Sequence, residues 1–174
     1  MSVLKKPYKA KLIISIFMNT KEIFNDILPF LKKYFGDIDI ISSWFDFNYT
    51  NYYYMEMGSP LFRRVIVFKD LIEQNILAEI KETTNFLEKK WKKKEKRKIN
   101  IDPGFLVLSR FVLATGKDYS HRIYLGKRIY ADLTLIYKNG KYRTLDWTYP
   151  DYAHEKMINF LGKVRKKYFL DLKK

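Results

Sequence analysis

Residues 99–152 read INIDPGFLVLSRFVLATGKDYSHRIYLGKRIYADLTLIYKNGKYRTLDWTYPDY. This stretch is strand-like along most of its length, and its turns set a register. Asn139-Gly140 is a strong signal for a two-residue hairpin, because both residues tolerate the positive φ angles of that turn. Gly126-Lys127 suits a second such turn between His121–Leu125 and Arg128–Tyr137. Counting back from the first turn puts Tyr137 opposite Tyr142, Leu135 opposite Thr144 and Asp132 opposite Trp147. Counting from the second puts Leu125 opposite Arg128, Ile123 opposite Tyr130 and His121 opposite Asp132. His121, Asp132 and Trp147 would then form one row across three strands, with Tyr130 and Thr134 on the same face. Leu133 and Leu135 alternate to the other face, which is the expected core.

Upstream, Asp102-Pro103-Gly104 predicts a bend or bulge, with Asp102 as a turn former. Lys11 to Met18 (KLIISIFM) is a short apolar run expected to be a buried strand. Asn19 or Thr20 is expected to cap a helix carrying Ile23, Phe24, Ile27, Leu28, Leu31, Tyr34 and Phe35, with Pro29 as a kink or a split and Gly36 as its stop. Asp37 to Phe47 and Leu61 to Phe68 are further strand candidates, separated by the aromatic loop Tyr49 to Pro60. A helix is expected to start at Asp70 and run to the basic segment 89–98. Ala153 to Leu172 is expected to be a closing amphipathic helix with Asp151 as its N-cap. The order predicts one α+β domain over residues 1–174: a ferredoxin-like βαββαβ start, extended by an antiparallel meander and closed by a C-terminal helix. Residues 1–10 are expected to be a flexible start.

The chain carries a net charge of +15 and no cysteine, which excludes disulfides, thiolate nucleophiles and Cys-ligated zinc. The run KKWKKKEKRK at 89–98 holds eight bases and one acid, leaving +8 for the remainder. Lys89, Lys90, Lys92, Lys93, Lys94, Lys96, Arg97 and Lys98 form the candidate nucleic-acid patch; a solvated helix end is the plainer account of the same residues. The apolar run near the N-terminus is too short to span a membrane, so a soluble cytoplasmic protein is expected.

An Asp opposite a His can fix the imidazole tautomer and serve acid–base chemistry or a metal. His121 and Asp132 are therefore the candidate catalytic pair, although a structural cross-strand pair worth about 0.2–1 kcal/mol is the plainer account of them taken alone. Glu56, Asp102, Lys117, Asp118, Arg122, Tyr124, Tyr130, Trp147 and Asp151 complete the candidate ligand site, with Lys117 and Arg122 supplying positive charge for an anionic group. Arg122 alternates away from His121. Gly116-Lys117 is not a phosphate-binding loop: position 111 is Phe where such a loop needs glycine, and Asp118 stands where it needs Ser or Thr.

The segments FNYTNYYYMEMGSPL, NIDPGFLVLSRFVLATGKDYSHRIYL, IYADLTL and WTYPDY resemble the bacterial family called domain of unknown function 4416. Glu56, Gly58, Asp102, Pro103, Gly104, Lys117, Asp118, His121, Arg122, Tyr124, Tyr149, Pro150 and Asp151 match its pattern. Asn51 replaces an acidic residue and Asp132 replaces Glu, which keeps a carboxylate opposite His121. A GTP-binding label on some members makes a nucleotide one ligand the resemblance implies; a divalent metal is the other cofactor considered. The leading expectation is a site for a nucleotide or phosphorylated metabolite. Any reaction there would be acid–base or metal-assisted hydrolysis or transfer. The alternatives are a nucleic-acid module using residues 89–98 and a protein adaptor without a ligand.

Overall fold

The computed structural model describes residues 3–92 and 96–173. Its centre is β1 (Ala10–Met18), buried along its whole length. The elements that follow are α1 (Ile23–Phe35), β2 (Ile38–Ile41), β3 (Phe45–Asp46), α2 (Tyr54–Met57), β4 (Phe62–Ile72), α3 (Leu77–Lys90), β5 (Ile99–Val107), β6 (Arg110–Thr115), β7 (Arg122–Gly126), β8 (Ile129–Lys138), β9 (Lys141–Thr144), α4 (Pro150–Ala153) and α5 (Glu155–Asp171). One sheet of nine strands runs in the order β2-β4-β1-β5-β6-β8-β7, with β3 beside β4 and β9 beside β8. Each pairing is antiparallel. The α+β class and the closing helix stand as the sequence predicts.

Alternation along β1 splits the core into two layers. Leu12, Ile14, Ile16 and Met18 pack with Ile66, Phe68, Ile99 and Ile101 against Phe24, Ile27 and Leu31 of α1 and Ile80 and Leu87 of α3. On the other side Ile13, Val65, Val67, Leu106 and Phe111 meet Met157, Leu161, Val164 and Tyr168 of α5. The i, i+3, i+7 spacing of the α1 residues gives the helix one buried stripe. Each fully buried Leu, Ile or Phe contributes roughly 1.5–3 kcal/mol. Beyond the start of α5 this second face is left open to form a crevice.

Several local expectations change. α1 passes through Pro29 unbroken, because Pro29 lies on the exposed side of the helix and its lost hydrogen bond faces water. Its N-cap is Glu22, with no side-chain capping bond, while Asn19 donates to the Met57 carbonyl instead. Residues 37–47 hold two short strands rather than one. Ser42 sits at their break, where its hydroxyl accepts from the Val65 N–H at 2.9 Å. Asp70 starts no helix: Leu71 and Ile72 pair with Lys11 and Ala10, so β4 continues past it and α3 begins at Leu77. Asp151 is not the cap of the last helix. It lies inside α4, and the His154 side chain caps α5 by accepting from the Lys156 N–H.

The sheet register carries the largest correction. The β8–β9 hairpin turns at Asn139 and Gly140, both at positive φ, and pairs Tyr137 with Tyr142 and Leu135 with Thr144 as predicted. The β7–β8 hairpin turns at Lys127-Arg128, which adopt φ 56° and 62°, while the ladder shifts between Tyr124 and Gly126, where Leu125 is the extra residue of a bulge closed by Gly126 at φ 96°. The glycine serves the bulge, not the turn. Register therefore moves by one residue, and a one-residue slip exchanges the faces of a strand. Arg122, not His121, stands opposite Asp132; Ile123 faces Ala131 and Tyr124 faces Tyr130.

Candidate functional site

β5 has two different neighbours along its length. From Gly104 to Val107 it pairs with β6, whereas Ile99 to Pro103 run free of it. Asp102-Pro103-Gly104 therefore makes no turn; it lies within the strand, at the point where β6 joins. A Cβ on Gly104 would run into the Val112 carbonyl oxygen and crowd Leu113, so glycine lets the two backbones meet there. Above that point the strands part. α3 supplies what a neighbouring strand would: Glu88 Oε1 accepts from the Ile101 N–H at 2.7 Å, and Lys81 Nζ donates to the Ile101 carbonyl at 2.9 Å.

The gap opens as a crevice of about 630 Å³, in the range of small-ligand sites. Phe17, Phe47, Tyr49, Tyr52, Tyr53, Tyr119, Tyr149 and Tyr152 give it aromatic walls. Its charged lining balances, with Arg63, Lys81, Arg97 and Lys117 against Glu88, Asp102, Asp132 and Asp151.

Three of the four cations are held by carboxylates. Arg63 is fully buried beside Asp151, and its guanidinium lies over the rings of Phe47 at 4.6 Å and Tyr152 at 4.9 Å. Burial pulls its pKa down, but Asp151, Tyr152 and Asp102 together outweigh that and hold the guanidinium above its usual range. Lys81 reaches Asp102 at 3.2 Å. Arg97 donates two bonds to Glu56, at 2.6 and 2.7 Å, and a third to Asn100 at 2.9 Å. Those bonds hold the Glu56 carboxyl below its ordinary pKa and raise that of Arg97. Burial pushes Glu88 upward. It also pushes Tyr53 up to about 12, helped by the charge of Asp102. A phenol so shifted is a hydrogen-bond donor at neutral pH. Lys117 differs from the other three. Its ammonium sits over the Tyr52 ring at 4.8 Å on an exposed loop, with no ion pair to any described carboxylate.

Asp132 forms one wall. It is 3% exposed, with Arg122 Nε at 2.9 Å and His121 Nε2 at 3.4 Å, both on Oδ2. Thr134 donates to its other oxygen at 3.3 Å. β9 ends before Trp147, yet the row assembles by another route: the indole N–H donates to the Leu133 carbonyl, and His121 stacks on the indole at 4.8 Å. The polar side of β8 is thus covered rather than open. Arg122 reaches onward to the Lys117 carbonyl and the Tyr149 hydroxyl.

Of the candidates read from sequence, Asp102, Lys117, Asp132 and Asp151 line the crevice, while Glu56 and Arg122 brace lining residues from behind. His121 and Trp147 flank Asp132 outside the lining. Asp118 lies near Tyr130, which packs on Tyr124 at 5.2 Å beyond the rim. In the basic segment, Lys93 and Lys94 lie outside the described residues and Arg97 turns into the site. Among the described residues no group of three His, Asp or Glu side chains is placed to hold a metal ion. Arg63, Lys81, Glu88 and Asn100 are site residues that sequence reasoning missed. Lys81 and Glu88 do carry a signal: they sit at i and i+7 with Thr84 between, as polar residues on the stripe that also buries Leu77 and Leu87.

Among the described residues no helix is long and apolar enough to cross a membrane. No curated protein and no solved structure matches the chain. The sequence profile of the domain of unknown function DUF4416 matches residues 8–168, which takes in every element of the sheet and the whole crevice. The chain belongs to the DUF4416 family.

Proposed function

We propose that this protein binds a small anionic ligand carrying a planar ring, a nucleotide or another phosphorylated metabolite, in the crevice between β5 and β6. The observation that carries this reading is the contrast within the lining. Three cations are committed to carboxylates inside an aromatic-walled space of nucleotide size, while Lys117 waits at the mouth without one. The ring would lie among the tyrosines, with Tyr53 and Asn85 offering polar contacts, and the phosphate would meet Lys117. Asp132 would face the ligand, with Arg122 and His121 fixing its position. If the ligand is turned over, acid–base hydrolysis or transfer at the His121–Asp132 pair is the reaction we favour. We place this activity in the bacterial cytoplasm.

The test is a thermal-shift panel of nucleoside mono-, di- and triphosphates and sugar phosphates on the full chain. A ligand at one hundred times its Kd adds about 2.7 kcal/mol, or roughly 5–10 °C for a domain of this size. Lys117→Ala should cut the affinity of the active compound by about tenfold, the loss of one charge-assisted contact. A panel in which no phosphorylated compound raises Tm would reject the reading.

A further inference from the structure

The crevice lining is neutral overall, so the +15 charge of the chain resides outside it. Around its mouth lies a run of exposed rings. Tyr52 carries Lys117 over its face at 4.8 Å, and Tyr119 carries the Arg122 guanidinium at 4.4 Å. Tyr119 meets His121 at 6.1 Å, which stacks on Trp147 at 4.8 Å. Asp118, next along the same loop, lies near Tyr130, which packs on Tyr124. Tyr119 and Tyr124 are 51% and 59% exposed and Trp147 is 37% exposed. Packing alone would bury such rings; here they form an accessible path from the crevice along β7 to the Lys127-Arg128 turn.

We propose that the occupant of this path is single-stranded nucleic acid: one base enters the crevice and the neighbouring bases stack on the rim rings. This rests on the ligand-site reading above and names the substrate class as an oligonucleotide. The match is chemical. A ligand presenting a planar ring and an anion at each repeat complements exposed rings with Lys117 at one end and the exposed Arg128 at the other, on a strongly basic protein. A duplex keeps its base faces covered and lacks this complementarity. The footprint is the β7–β8 rim, distinct from the basic run at 89–98.

The test is fluorescence anisotropy of the full chain with labelled ten-nucleotide single-stranded RNA and DNA and the matching duplexes, at 50 and 200 mM salt. The single strand should bind more tightly than both the duplex and the mononucleotide. If about three phosphates are engaged, its affinity should fall roughly twentyfold between the two salts. Tyr124→Ala and Tyr124→Leu should each weaken it by about five- to a hundredfold while leaving mononucleotide thermal shifts unchanged, since Tyr124 lies outside the crevice lining. Retained shifts show that the variants are folded. If mononucleotides bind and the oligomer gains nothing, the path is not a binding surface and the crevice reading survives. If neither binds, both fail. If duplex and single strand bind equally, with affinity lost on changing Lys92, Lys93, Lys94 and Lys96 to Gln and kept in the tyrosine variants, the footprint is the basic run and this proposal is overturned.

Discussion

Arg122 donates from Nε to Asp132 Oδ2 at 2.9 Å, from the strand position directly opposite. Both side chains are buried, and the same oxygen faces His121 Nε2 at 3.4 Å. Removing one partner of a buried pair strands the other charge in a poorly solvated place, which costs far more than an exposed pair is worth. Asp132→Ala should therefore lower stability by about 3–5 kcal/mol in urea unfolding. His121→Ala should cost only about 1 kcal/mol, the scale of one stacking contact. Equal losses in the two variants would mean that His121, not Arg122, is the main partner of Asp132.

Glu88 spans two jobs, accepting the Ile101 N–H and facing Arg97 at 3.4 Å. Burial raises its pKa, so its charged form is the costly one. Glu88→Gln retains an acceptor and removes that cost, and should change stability by less than about 1 kcal/mol. Glu88→Ala leaves a buried strand N–H unpaired and should cost about 1–3 kcal/mol. Chemical denaturation of the two variants checks the difference; equal losses would show that the charge, not the acceptor, matters.

At Gly104 the expected loss comes from contact rather than conformation. The added methyl of Gly104→Ala would strike the Val112 carbonyl, a backbone atom that cannot step aside without opening the β5–β6 ladder. A stability loss of about 1–3 kcal/mol is expected, with faster hydrogen exchange at Phe105 and Val112. An unchanged exchange pattern would mean that the strands have room to part further.

Acid should unlock the end of the chain. Asp171 is pulled down to about 2 against the cost of burial by bonds from Lys11 and Lys167, and Lys11 also meets Asp39 at 3.0 Å. A depressed folded pKa contributes stability that is complete above the unfolded value of 3.8 and lost as pH falls through about 2. Wild type should thus lose Tm between pH 4 and about pH 2 faster than Asp171→Asn, which should start lower by about 1–3 kcal/mol because Asp39 still accompanies Lys11. Parallel acid slopes for the two proteins would remove Asp171 from the account.

The strands were legible in the sequence where the signal was local. Lys11 to Met18 reads as a buried strand and is one, and Asn139-Gly140 set the β8–β9 register residue by residue. The β7–β8 hairpin misled because Lys127 and Arg128 take a left-handed turn normally left to Asn and Gly, while the obvious glycine went to a bulge. Alternation counted from the wrong turn then placed Arg122 on the wrong face. Asp70 illustrates the other limit: a helical pattern gave way to pairing with a strand about sixty residues away in the chain, a contact no local window contains. Of the acids in the site, Asp102, Asp132 and Asp151 were readable as polar residues among strands. Arg63 was not, because its role depends on α4 folding back over β4 to deliver Asp151.

The central claim is that the crevice between β5 and β6 holds a phosphorylated ligand, and filling the crevice tests it most directly. Asn85 lines it from α3. Asn85→Trp would occupy part of the space while leaving Lys117, His121 and Asp132 in the chain. Wild type and Asn85→Trp should be titrated side by side with the nucleotide that raises wild-type Tm most. The account predicts that the variant keeps its own melting temperature within a few degrees and loses the ligand shift. A full shift in the crevice-filled protein would place the ligand elsewhere and contradict the claim.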